Sequence, residues 1–209
     1  MTNISYSENY FDYISSGLRE TKFFDQGLEI ESSFFFDKVK ENFLKLKQEG
    51  KRVFFFGNGA SSAFANHMAL DFHKNGKVLA RSLSDSALMT ALANDYTFDD
   101  CFVEFLKLER PTNGDLVVTI SSSGNSPNIV KLLEYCALNK VQTLTLSGLN
   151  IDNLSVKFGE LAVFVPRRTY GMVECIHQIF LHLFLDEFMG VEEWNRLESQ
   201  NMRSTEFRS

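Results

Sequence analysis

Between residues 5 and 49 the apolar positions recur at mixed spacings of three and four: Tyr10, Phe11, Ile14 and Leu18, then Phe35, Val39, Phe43 and Leu46. That period marks one face of a helix, and no Gly or Pro stands between Gly27 and Gly50, so the spacing predicts a helical appendage over residues 1–49. From residue 50 the pattern changes to short apolar runs bounded by turn residues: Arg52–Phe56, Val78–Leu83, Asp115–Ile120, Val141–Leu146 and Leu161–Val165. Runs of this length and composition read as strands buried on both faces. Between them, Ser61–Lys74, Ser86–Asn94, Ser126–Asn139 and Met172–Met189 read as helices. Strict alternation of this kind implies βαβ units, a parallel sheet and right-handed crossovers, with the ligand site beyond the carboxyl ends of the strands.

The loops after strands are therefore where chemistry is expected. Ser121-Ser122-Ser123-Gly124-Asn125-Ser126-Pro127 runs from a strand into a helix, with Pro127 suited to the first helical position and Ser126 to the N-cap. Four hydroxyls, a glycine and the free N–H groups of a helix start suit a phosphate without lysine, although an ordinary Ser-rich turn has the same look. Gly57-Asn58-Gly59-Ala60-Ser61-Ser62 is a second loop of this character. On the helix that follows, His67 and Asp71 are four apart, about 40° around the axis, and share a face. Glu174 and His182 are eight apart on the last helix, about 80° around it, with His177 between them. Two helices that each present a carboxylate and an imidazole suit a divalent metal or an acid–base pair, while each pair alone more often caps or decorates an inert surface. His73 and His177 read as structural. Asn94 and Asp95 fall at a helix end, where they are equally good turn formers or partners for substrate hydroxyls.

Composition narrows the classes. The chain has 209 residues, 44% hydrophobic and 23% charged, which suits one globular unit with an appendage and excludes a disordered or fibrous chain. Phe 21 against Tyr 6 and Trp 1 means that most aromatic rings carry no polar handle, so burial in the chain or against another copy is expected. A net charge of −6 opposes the phosphate attraction that nucleic-acid binding needs. Cys101, Cys136 and Cys175 form no CxxC pair and point to a reducing cytosol. No run of about 18 apolar residues and no leader-like start is found, so a membrane span and a cleaved export signal are not expected. The polar tail Asn201–Ser209 is expected to fray.

Taken together and in this order, GNGASSAFANHMALDF, ARSLSDSALMTALANDY, SSSGNSPN and VECIHQIFLH resemble the sugar isomerase (SIS) domain family, and within it the phosphoheptose isomerases. The resemblance spans roughly residues 30–190. It implies a three-layer α/β/α sandwich with a five-stranded parallel sheet over residues 50–200, and a cytoplasmic homotetramer with active sites between subunits. It also implies aldose–ketose isomerisation of sedoheptulose 7-phosphate through a cis-enediol, with zinc. Substrate contacts then fall on Asn58, Ser61, Asp95, Ser121, Ser122, Ser123 and Ser126. Metal contacts fall on His67, Asp71, Glu174 and His182, with Asp71, Glu174 and His182 as the catalytic set. The same fold serves elsewhere as a sugar-phosphate sensor, as the partner of a replication initiator, or as an isomerase for surface glycans. Two positions depart from the pattern: Asp71 stands where Glu is usual and Glu174 where Gln is usual. Asp is shorter by one methylene, about 1.5 Å, and a displacement of about 1 Å can cost roughly a hundredfold in rate. The stretch Arg167-Arg168-Thr169-Tyr170-Gly171 also differs and is expected to shape the far end of the sugar site.

Overall fold

A computed structural model describes residues 5–195. The tail Asn201–Ser209 and the end of the expected 50–200 unit lie outside the described residues. The N-terminal segment holds α1 (Tyr6–Glu20), β1 (Lys22–Asp25), β2 (Leu28–Ile30) and α2 (Ser32–Glu49). Then come β3 (Arg52–Gly57), α3 (Ala60–Lys74), β4 (Leu79–Ser82), α4 (Ser86–Asp95) and α5 (Cys101–Glu109). The chain continues through β5 (Leu116–Ile120), α6 (Pro127–Asn139), β6 (Gln142–Gly148), α7 (Leu154–Phe158), β7 (Leu161–Val165) and α8 (Tyr170–Met189).

The five expected strands form a parallel body, but the sheet has seven strands, in the order β2-β1-β7-β6-β5-β3-β4. The two extra strands correct the reading of residues 1–49 as helical throughout. They form a hairpin at Gln26-Gly27, where both residues have positive φ (48° and 80°), as a tight two-residue hairpin turn requires. Strand β1 pairs antiparallel with β7, so the N-terminal segment joins the sheet and buries Phe23 and Phe24.

Alternation along each strand feeds two cores. On β3, Val53 and Phe55 face a core shared with α2, α3 and α8, whereas Phe54 and Phe56 face one shared with α4, α5 and α6. Three layers result. Within the first core, Phe43 of α2, Phe72 of α3 and Phe188 of α8 meet ring to ring, with Phe43–Phe72 centroids 4.3 Å apart and Phe72–Phe188 centroids 6.0 Å apart. Such contacts add about 0.5–1.5 kcal/mol each beyond area burial. They fix α3 against α8, the two helices that carry the expected titratable residues.

From β3 the chain moves to β4 on one side, then returns to place β5 on the other. Strand order therefore reverses between β3 and β5, where an open parallel sheet offers a crevice for ligands. The last paired residues there are Gly57 and Ile120, so the loops after β3 and β5 leave the sheet at the same level.

His177 of α8 is fully buried. Its Nε2–H donates to the Ser147 carbonyl at 3.1 Å, and its Nδ1 has no partner among the described residues. Burial pushes its pKa from 6.5 down to about 4. As pH falls, the unfolded chain binds this proton before the folded one, so the stability held by the neutral ring is complete above about pH 6.5 and is lost toward pH 4. Denaturant midpoints measured from pH 7 to pH 4.5 should accordingly fall more steeply for the wild type than for His177→Gln; equal slopes would remove His177 from the acid response.

Candidate active site

Glycines shape both loops at the switch point. A Cβ on Gly57 would lie 2.6 Å from the backbone of Ser61, so only glycine lets the chain turn from β3 into α3 this tightly. In the second loop Gly124 has φ +64°, and a Cβ there would lie 2.1 Å from Asn153 Oδ1. The loop is held from behind: Ser121 N–H donates to Leu146 O, Gly148 N–H to Ser122 O, and Ser155 N–H to Gly124 O. Ser126 occupies the N-cap of α6 with Pro127 next, as the sequence implies, and its carbonyl accepts from Ile129 and Val130. Its hydroxyl does not cap the helix; it lies 3.4 Å from Ser121 Oγ instead.

Between the loops lies a cavity of about 100 Å³. That is room enough for a phosphate group, in a cavity that opens to solvent. Ser61, Ser121, Ser122, Ser123 and Ser126 all line it, together with Asn58, and among the described residues no Lys or Arg does. Ser122 Oγ is buried with no hydrogen-bond partner among the described residues, an orphaned hydroxyl of the kind a ligand satisfies. The Asn58 amide lines the cavity but exchanges hydrogen bonds in both directions with Asn128, at 2.9 and 3.0 Å. Tyr170 and Glu174, one turn apart on α8, complete the wall.

A second group sits where α3 packs on α8. His67 Nε2 lies 3.3 Å from Asp71 Oδ2, and the His67 and His182 rings are 5.4 Å apart. One ligand atom from each of His67, Asp71 and His182 lies within 4.8 Å of the others. Tetrahedral zinc with bonds of about 2.0–2.1 Å needs ligand spacings of about 3.4 Å, so small rotations would close the set. Two imidazoles and a carboxylate also leave a fourth position open, as catalytic sites do. Asn75 Nδ2 donates to Asp71 Oδ1 at 3.2 Å and holds the shorter carboxylate in place.

The structure brings together most of the residues singled out in the sequence, in two clusters rather than one. Glu174 is not in the His67–Asp71–His182 group; it lies with the serines, eight residues or about 12 Å of helix rise before His182. Asp95 ends α4, is exposed, accepts from Asn94 at 3.1 Å and lines neither cluster in this chain. Arg167, expected near the sugar, turns away: its guanidinium donates to Tyr13 O, Ser16 Oγ and Glu20 Oε2 and so anchors α1. Of that differing stretch, Tyr170 is the residue that reaches the serine cavity. Asn75 and Asn128 were missed, since a lone Asn in a helix carries no pattern of its own.

Residues 28–148 match the family model described as the SIS domain. The chain belongs to the SIS domain family. Among curated SIS relatives, the phosphoheptose isomerase of Fusobacterium nucleatum is 32% identical over 161 residues, spanning 75% of this chain and 80% of that one. The phosphoheptose isomerase structure from Neisseria gonorrhoeae superposes with a TM-score of 0.73 at 22% identity, covering 86% and 93% of the two chains. The one from Francisella tularensis superposes at 0.74 and 18% identity, covering 88% and 95%. At these identities the superpositions speak for the SIS fold.

Gly124 is the position where this site tolerates least. Gly124→Ala should cost about 1–3 kcal/mol for the left-handed backbone alone, with displacement of Asn153 added to it. Urea unfolding and a phosphate titration should show both stability and anion affinity falling; an Ala variant with unchanged phosphate binding would detach the loop from the site.

Proposed function

We propose that the protein is a phosphosugar aldose–ketose isomerase that interconverts sedoheptulose 7-phosphate and D-glycero-D-manno-heptose 7-phosphate. The observation that carries this reading is the pairing of a serine-lined, phosphate-sized cavity, walled in part by Ser61 of α3 and Tyr170 and Glu174 of α8, with the His67–Asp71–His182 group further along those two helices. The names of the curated relatives agree with it. So does reach: Ser61 and His67 are six residues apart, about 9 Å of helix rise. An extended seven-carbon chain with a terminal phosphate, built from bonds of about 1.5 Å, spans about 10 Å from its first carbon to phosphorus.

In this reading the serine hydroxyls and loop N–H groups hold the phosphate, and that remote binding orients the reacting end. Asp71 takes the proton from one carbon and returns it to its neighbour, while His182 moves the proton between the two oxygens, so aldose and ketose differ by no net atom. Asp71 rather than Glu174 is the base because it shares one spot with His182. Glu174, on the serine side, accepts a hydrogen bond from a sugar hydroxyl. His67, Asp71 and His182 would hold a zinc ion, which when bound would stabilise negative charge on the enediolate oxygen. The enzyme acts as a cytosolic homotetramer: exposed Tyr6, Phe11, Phe34 and Trp194 offer apolar surface to other copies, and all three cysteines are free thiols.

The test is to incubate the purified protein in deuterated water with five- to seven-carbon sugar phosphates, with and without chelator, and to read exchange at C1 and C2 by NMR. Exchange should be fastest with the seven-carbon substrate and should fall on chelation. Asp71→Asn and His182→Gln should each lower kcat by about 10²–10⁴-fold, whereas Glu174→Gln should act mainly on KM. A Glu174→Gln loss in kcat as large as that of Asp71→Asn would move the base to α8, and binding without turnover would replace the enzyme with a sugar-phosphate sensor.

A further inference from the structure

The two loops around the serine cavity belong to different strands, and strand pairing between them ends at Gly57 opposite Ile120. Beyond that point, among the described residues, the hydrogen bonds that join the loop after β3 to the start of α6 are those between Asn58 and Asn128. Asn58 Nδ2 donates to Asn128 Oδ1 at 2.9 Å, and Asn128 Nδ2 donates back to Asn58 Oδ1 at 3.0 Å. Two antiparallel amide bonds of this kind fix distance and orientation together, as a backbone pair does. Asn128 is the second residue of α6 and is 1% exposed. A primary amide this deeply buried is costly to desolvate, and an apolar residue of the same size would fill the space at less cost, so packing alone does not account for it.

We infer that Asn58 and Asn128 are a positioning pair that sets the width of the anion cavity, holding the Ser61 loop against the Ser121–Ser126 loop at the separation one phosphate group needs. The inference rests on the isomerase reading for its substrate, but not for the anion. It revises the role expected for Asn58: with its oxygen and one N–H committed to Asn128, this side chain acts on the substrate through the loops it joins. Loss of either partner leaves the other amide unsatisfied and lets the loops separate. The effect belongs in ground-state binding of the phosphate, since neither residue is near the His67–Asp71–His182 group that would handle protons.

The experiment compares wild type with Asn58→Ala, Asn128→Ala, the double variant and Asn128→Asp. It measures KM and kcat for sedoheptulose 7-phosphate, the dissociation constant for inorganic phosphate by calorimetry, and thermal unfolding. Each single variant should raise KM and weaken phosphate binding by about tenfold with kcat little changed. The double variant should be no worse than the singles, because the interaction is already gone. Asn128→Asp, which sets a buried carboxylate oxygen against Asn58 Oδ1 and a negative charge near the anion, should be at least as weak as Asn128→Ala. Unchanged phosphate affinity in folded variants, or effects that simply add, would overturn the pair. Should Asn128→Ala fail to fold, Asn58→Ala, altered at a part-exposed loop residue, carries the test alone. A wild type that binds phosphate but turns over no sugar phosphate would sink the isomerase reading while the titrations still decide the pair; a wild type that binds no phosphate would overturn both.

Discussion

The parallel pairing of β3 with β5, with Gly57 level with Ile120, is the constraint on which the rest of the site depends. It places two loops of small residues side by side at the point where strand order reverses. Glycine then lets each loop turn sharply enough to present hydroxyls and N–H groups to one small volume. Among the described residues the one charged side chain lining that volume is the acidic Glu174, so its attraction for an anion comes from fixed hydroxyl and N–H dipoles rather than from net charge. A site of that kind works only if it is held rigid, and the contacts behind it supply this: Gly148 and Ser155 on the β6–α7 side, and the Asn58–Asn128 pair on the other.

The titratable group depends on packing in the other core. His67 and Asp71 come from α3 and His182 from α8, and their approach follows from how Phe72 and Phe188 seat those helices against each other and against Phe43. An aspartate in this setting reaches less far than a glutamate would. Its two oxygens are engaged by Asn75 and His67, so the shorter side chain is at least aimed. Chemistry and anion binding are thus supported from opposite ends of the same helix pair.

Much of this was legible from residue order. The five parallel strands, six of the eight α-helices among the described residues and both loops after β3 and β5 follow from short apolar runs that alternate with helical periods and from clustered Gly, Ser and Asn. The β1–β2 hairpin was not legible, because strands of four and three residues on either side of Gln26-Gly27 are too short to break the helical rhythm around them. Helices α5 and α7 were passed over too: α7 is only five residues long, and the nine residues of α5 lie in a stretch to which the sequence reading assigned no element. Roles that depend on a distant partner escaped too: Arg167 looks like a site residue until α1 is seen to receive it, and Asn128 looks like an ordinary first-turn residue until Asn58 faces it. Asp95 shows the reverse case, since a plausible motif ends at an exposed helix terminus that lines neither cluster within one chain.

The docking of β1 on β7 has a consequence for how the chain is made. Phe23 pairs with Val163 and Phe24 with Ala162, so β1 is synthesised about 140 residues before the strand it docks on. Until β7 is made the outer edge of β1 has no strand to pair with, while Phe23 already has Phe35 and Phe36 of α2 to pack on; unpaired edges of this kind invite aggregation. Assembly of this long-range pair should therefore come late, after the βαβ body has formed around its local contacts.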